Sequence, residues 1–241
     1  STMRPNHIPY SLFLLAILQA AGGYAQFGPP VFNQDFGLGN SDPATIGPPL
    51  PPGRTGLKYS TELCPPPGSY TIVRSVGAQP CFNDEWIPLY SDHSSDNDPD
   101  MAFGNMMLVN RPDSGSRMVY VDTVNKNLCP GTQYRFSTAI INVDKPDNCP
   151  NPSFPSLNLS LETVSGQVMQ FISTGPVGFA SPFMGYKFGV YSFIFTMPAG
   201  IDRLVLKIEL NYLGLNNCGD DFAIDDIQLT PLGPKANIGF V

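Results

Sequence analysis

No window of this chain holds its apolar residues at a 3.6-residue period. Instead, short segments alternate apolar and polar side chains at period two, with proline and glycine between them. The clearest is "RLVLKIELNY", where Leu204, Leu206, Ile208 and Leu210 share one face and Val205, Lys207, Glu209 and Asn211 the other. "SLNLSLETV" repeats the pattern with Leu157, Leu159 and Leu161. Strands of an antiparallel sheet with one dry and one wet face read this way. Further strands are expected in "VFNQDFG", "SYTIVRSV", "NMMLVN", "RMVYVDTV", "QYRFSTAIINV", "QVMQFIST", "VYSFIFTM" and "DFAIDDIQL". The 26 prolines and 23 glycines supply the turns between them, "VSGQ" at 164–167 being a hairpin turn. "IGPPLPPG" cannot be a central strand, because proline brings no ladder donor. The pattern predicts an all-β fold: a two-sheet antiparallel β-sandwich of jelly-roll type.

The first residues read as an export signal. Met3 and Arg4 precede an apolar run from Ile8 to Ala21, and small residues follow before Gln26. The run falls short of the roughly 20 residues that a membrane span needs. Ser1 and Thr2 read as residues added in cloning, 1–25 as that leader and signal, 26–232 as one sandwich domain, and 233–241 as the start of a linker. A secreted or cell-surface location follows, with no membrane attachment after processing. The net charge of −7 repels phosphate backbones and argues against nucleic acid.

Five cysteines lie beyond the signal, which in an exported chain predicts two disulfides and one thiol over. Cys64 and Cys81 bracket a single strand and form the first expected pair, whose loop closure contributes about 3 kcal/mol. Cys149 and Cys218, both in turn-rich loops, form the second, leaving Cys129. Without a CxxC pair, zinc is not expected.

"DFAIDDIQL" carries a conflict of phase. Phe222 and Ile224 share one face by alternation, Ile227 and Leu229 the face of opposite parity, yet both pairs belong in a core. The phase must slip at Asp225–Asp226, which predicts a β-bulge. Two neighbouring carboxylates there either face water at a strand end or call for compensation, for which calcium, an oxygen-seeking ion, is the candidate structural cofactor. Asp220 and Asp221 read as solvated loop residues.

The order "IGPPLPPG…CPPPGSYTIV…MMLVN…LCPGTQY…FIFTMPAG…CGDDFAIDDIQL" resembles a module of large exported proteins of Bacteroidota, which carry gliding-motility or type IX secretion tails. The resemblance spans 31–231. The module is similar to MAM domains and to carbohydrate-binding jelly rolls of the galactose-binding-like class. It implies that Asp35 of "QDFG" joins Asp226, with Asp225, around the calcium. Two positions depart from the pattern: Leu232 stands where a cysteine closes the module, and Phe183 where a tryptophan is expected.

"SDHSSDNDPDMAFG" places Asp96, Asp98 and Asp100 at alternate positions, a candidate second metal loop. It is not an EF-hand, since Met101 and Met107 occupy the glycine and closing glutamate positions. His93 is the lone histidine beyond the signal and reads as a packing or hydrogen-bonding residue, with no nucleophile elbow to serve. Sugar rings stack on exposed aromatic planes, which makes Trp86, Tyr90, Phe183 and Tyr186 the candidate ligand-binding residues. The reading is a noncatalytic binding or adhesion module whose partner is a glycan or cell-surface polysaccharide. The alternatives are a structural spacer contacting neighbouring protein domains, and a polysaccharide hydrolase. For the last, Glu85, Glu162 and Glu209 are the available glutamates, and their spacing brings no two together.

Overall fold

A computed structural model describes residues 27–39, 42, 44–76, 81–93, 104–125, 128–147, 150–211 and 218–233. The expected signal segment, most of the expected linker, Cys149 and the acidic loop with Asp96, Asp98 and Asp100 lie outside these residues.

The elements are β1 (Phe32–Gln34), β2 (Lys58–Tyr59), β3 (Ser69–Val73), β4 (Met106–Asn110), β5 (Met118–Val124), β6 (Gln133–Asn142), β7 (Leu157–Glu162), β8 (Val168–Ser173), β9 (Gly189–Thr196), β10 (Leu204–Leu210) and β11 (Phe222–Leu232). A 3₁₀ turn, Pro182–Met184, sits between β8 and β9. One sheet runs β2-β3-β4-β11-β6-β9 with β1 also on β11, and the other runs β5-β10-β7-β8. Stripped of β1 to β3, the order 4-11-6-9 over 5-10-7-8 passes the chain from one sheet to the other after every strand except β7, which pairs directly with β8. That is the double-sheet jelly roll. The fold expected from the strand pattern is the fold observed. One element was not foreseen: β2, a two-residue parallel pairing with β3.

Alternation fills the space between the sheets. Leu204, Leu206 and Ile208 of β10 meet Leu157, Leu159 and Leu161 of β7 and Tyr134, Phe136 and Ile140 of β6 in one buried cluster. Each such side chain contributes about 1.5–3 kcal/mol by leaving water. A second cluster lies on the opposite face of the seven-stranded sheet, where Met106, Leu108, Ile141 and Val143 are covered by Val76, Trp86, Ile87 and Leu89. The chain between β3 and β4 thus lies over part of that sheet's outer face. The Cys64–Cys81 disulfide pins its beginning, as expected. Cys218 is also disulfide-bonded, and Cys129 is free and exposed.

The β-bulge is present. The pairing of β11 with β6 shifts between Asp225 and Gln228, Asp226 has φ of 47°, and Ile224 and Ile227 are both fully buried. The slip also marks a change of neighbour. β11 pairs with β4 over Phe222–Ile224, then with β1 through Ile227, Gln228 and Leu229.

Candidate functional site

The expected calcium carboxylates all find protein donors. Asp35 accepts from the Gly37 amide at 3.0 Å and from Asn33 Nδ2 at 3.2 Å. Asp225 is fully buried and accepts from the His93 amide at 3.0 Å and the Asp226 amide at 2.8 Å. Asp226 Oδ2 lies 2.6 Å from His93 Nδ1. Among the described residues, no three His, Cys, Asp or Glu side chains gather closely enough to hold an ion. The bulge aims Asp225 and Asp226 at the chain between β3 and β4, while Asp35 is held within its own turn.

Asp220 and Asp221 are not solvated loop residues. Asp220 is 1% exposed and forms an ion pair with the buried Arg111 guanidinium. Asp221 accepts from the Arg111 amide at 2.9 Å and from Trp86 Nε1 at 3.0 Å, and its own amide donates to Asp144 Oδ2 at 2.9 Å. Burial pushes the Asp144 carboxyl up to about 9, with the Asp221 charge adding to it. Burial likewise raises Asp221 to about 7 and Asp220 to about 6 against the opposing pull of Arg111. Asp144 and Asp221 border a cavity of about 280 Å³ between Phe82, Glu85 and Arg111.

The expected sugar platform does not assemble. Trp86 is 3% exposed and packs edge-on against Phe82, so its ring offers no face to a ligand. Tyr186 packs against the same satellite cluster. Phe183 is 98% exposed on the 3₁₀ turn and Tyr90 is exposed at the end of the covering segment. Each stands on a different loop.

A platform of another composition lies on the outer face of the four-stranded sheet. Register places Val121, Lys207, Ser160 and Phe171 in one row across β5, β10, β7 and β8. The next row is Thr123, Val205, Glu162 and Val168. On the far side comes Met118, Glu209, Asn158 and Ser173. Phe171 is 63% exposed, on β8 at the sheet's edge among the described residues. Beside it Lys207 Nζ donates to both oxygens of Glu162 at 2.8 Å, and Ser160 Oγ donates to Glu162 Oε1 at 3.4 Å. Asn158 Nδ2 donates to Asn211 Oδ1 at 3.3 Å. An aromatic plane thus borders fixed donors and acceptors whose charges cancel at Lys207 and Glu162. Sequence reasoning passed over Phe171 because "QVMQFIST" mixes its polar and apolar residues, and only the strand order reveals β8 as an edge.

No family model matches the chain, and no curated protein matches it. Several solved structures are similar to it. The CBM22-1–GH10 modules of the Clostridium thermocellum endo-1,4-β-D-xylanase 10B, complexed with xylohexaose, match at 15% identity and a TM-score of 0.35, over 54% of this chain and 22% of that one. A structure described as "CBM4 structure and function" matches at 12% identity and a TM-score of 0.31, over 68% and 71% of the two chains. The EclA C-terminal domain, described as a sugar-binding protein, matches at 13% identity and a TM-score of 0.31, over 47% and 67%. The chain spans about a fifth of the length of the xylanase structure. Among the described residues, no helix is long and apolar enough to cross a membrane.

Proposed function

We propose that this protein is a noncatalytic glycan-binding module of an exported bacterial surface protein, of the kind its sequence resembles. It holds a neutral saccharide on the outer face of its four-stranded sheet. The observation that carries the reading is Phe171, exposed on an edge strand directly opposite Ser160 and one strand from the Lys207–Glu162 pair. The ring supplies the apolar plane for a pyranose, and Ser160, Asn158 and Glu162 supply hydroxyl partners on rigid strands. Because Lys207 is neutralised by Glu162 and Glu209 is the other ionisable group in the rows described, the face favours uncharged sugars.

Hydrolysis finds no support in the same face. Glu162 and Glu209 both point outward, but Glu162 faces Val205 on β10, four residues from Glu209. At about 3.4 Å per residue that is roughly 14 Å, beyond the roughly 5–9.5 Å that glycosidase carboxylates keep.

Affinity electrophoresis through gels containing neutral polysaccharides tests the reading. Retention of the wild type that Phe171→Ala abolishes and Phe183→Ala preserves is the expected result. A wild type that no neutral polysaccharide retards would leave the spacer reading in its place. Export is tested separately, by the mass of the mature N-terminus after secretion.

A further inference from the structure

The outer face of the seven-stranded sheet, beyond the stretch covered by the chain between β3 and β4, carries a second polar field. Asn33, Gln228, Ser137 and Ser192 form one row across β1, β11, β6 and β9. Thr230, Arg135 and Ile194 form the next. Arg135 faces outward because its neighbours Tyr134 and Phe136 are in the core. Its guanidinium lies 3.9 Å from the centre of the Phe27 ring, which holds it against the sheet through a cation–π contact.

This place is short of an acceptor. Arg135 Nε is buried with no hydrogen-bond partner, and so is Thr230 Oγ1 directly across the ladder. Thr230 as a whole is 3% exposed. An Arg N–H can only donate, and a threonine hydroxyl is free to donate. Among the described residues no carboxylate forms a salt bridge with Arg135, although Arg54 and Arg203 each have one and Arg111 two. Directly opposed residues in an antiparallel ladder have Cα atoms about 4.5–5.5 Å apart. Thr230 and Arg135 oppose each other in the ladder, so their donors rise from one face, where a carboxylate's two oxygens can take one bond each.

We propose that Arg135 and Thr230 together bind the carboxylate of a uronic-acid sugar. The surrounding row of two hydroxyls and two amides is what sugar hydroxyls need, whereas the core of a protein interface is built from aromatic and aliphatic anchors. The acidic chain as a whole, at −7, opposes densely charged polymers. Screening within about 8 Å at physiological salt leaves the local attraction to a single carboxylate in place. The site stands on the sheet opposite Phe171 and does not depend on that residue.

The test is NMR of the Arg135 Nε–H resonance during titration with glucuronate, glucose and poly-glutamate. Glucuronate is expected to move the resonance and glucose to leave it still. Thr230→Val should weaken glucuronate roughly tenfold or more, as loss of a hydrogen bond to a charged group does. Arg135→Lys, which keeps the charge but loses the planar fork, should weaken it as well, read by the shifts of the Ser137 and Thr230 amides. Phe171→Ala should change none of this. A resonance that ignores glucuronate, or that answers glucose equally, overturns the site. A response to poly-glutamate without one to glucuronate assigns the position to acidic peptides and overturns the sugar.

Discussion

Trp86 Nε1 donates to Asp221 Oδ2 at 3.0 Å across 135 positions of sequence, joining the chain that covers the large sheet to the entry of its central strand. Around that bond the Trp86 ring fills the satellite core, and the same carboxylate receives the Arg111 amide. One side chain therefore fixes the cover by shape and by hydrogen bonding together.

Trp86→Phe should keep most of the packing against Phe82 and remove the donor. Leaving a buried acceptor short by one bond costs about 1–3 kcal/mol. Urea denaturation should record that loss, while retention on neutral polysaccharide gels stays at the wild-type level. A variant that loses retention with stability intact would return the tryptophan to the binding site.

Stability should decline as pH rises. Asp144, Asp221 and Asp220 titrate at about 9, 7 and 6 in the folded protein against 3.8 as the ordinary value, chiefly through burial. Folding therefore takes up protons at these groups. Their contribution is complete below the unfolded value and is lost as pH climbs through the three folded ones. Urea midpoints measured at intervals from acid to alkaline pH should fall across that window. Asp144→Asn, which cannot ionise, should flatten the upper part of the curve, and an unchanged slope in that variant would refute the assignment.

Lys207→Met should destabilise the domain by about 1–3 kcal/mol, because Glu162, 8% exposed, loses the ammonium that meets both its oxygens. The double variant Lys207→Met with Glu162→Gln should recover part of the loss. Chemical denaturation of the two variants decides it, and a double variant no better than the single would show that the pair does not act as a unit.

Asp225→Ala removes the acceptor of the His93 and Asp226 amides. Each buried donor left unmet costs about 1–3 kcal/mol. Hydrogen exchange should show those two amides deprotected well beyond the rest of β11. Uniform protection would mean that the acid is not what anchors the bulge.

Strands such as β7 and β10 were legible because they alternate at period two, and the bulge because Ile224 and Ile227 cannot both face inward on an unbroken strand. The destination of the bulge's acids was not legible: a carboxylate pair meets an ion or a backbone amide equally well on paper, and His93 arrives from 132 positions away. Trp86 was misread for a similar reason. It follows "CFNDE", whose last three residues read as surface, and the residues that bury it and meet its indole N–H, Met106, Leu108 and Asp221 among them, are far away in sequence. Phe171 and Arg135 were missed because what distinguishes them is their neighbours across the ladder, Ser160 for one and Thr230 for the other.

The pairing of the first described residues with the last strand has a mechanical meaning. Phe27 bridges Leu232 in antiparallel sense, and the Gly28 amide donates to the Pro231 carbonyl at 3.0 Å, so the two ends leave the fold side by side. A pull applied through them loads these bonds one at a time, like a zipper opened from its tab, instead of sharing the force along the ladder. The domain would hang from a stretched polymer as a pendant bead, giving up its outermost pairing early while the sandwich behind it stays closed.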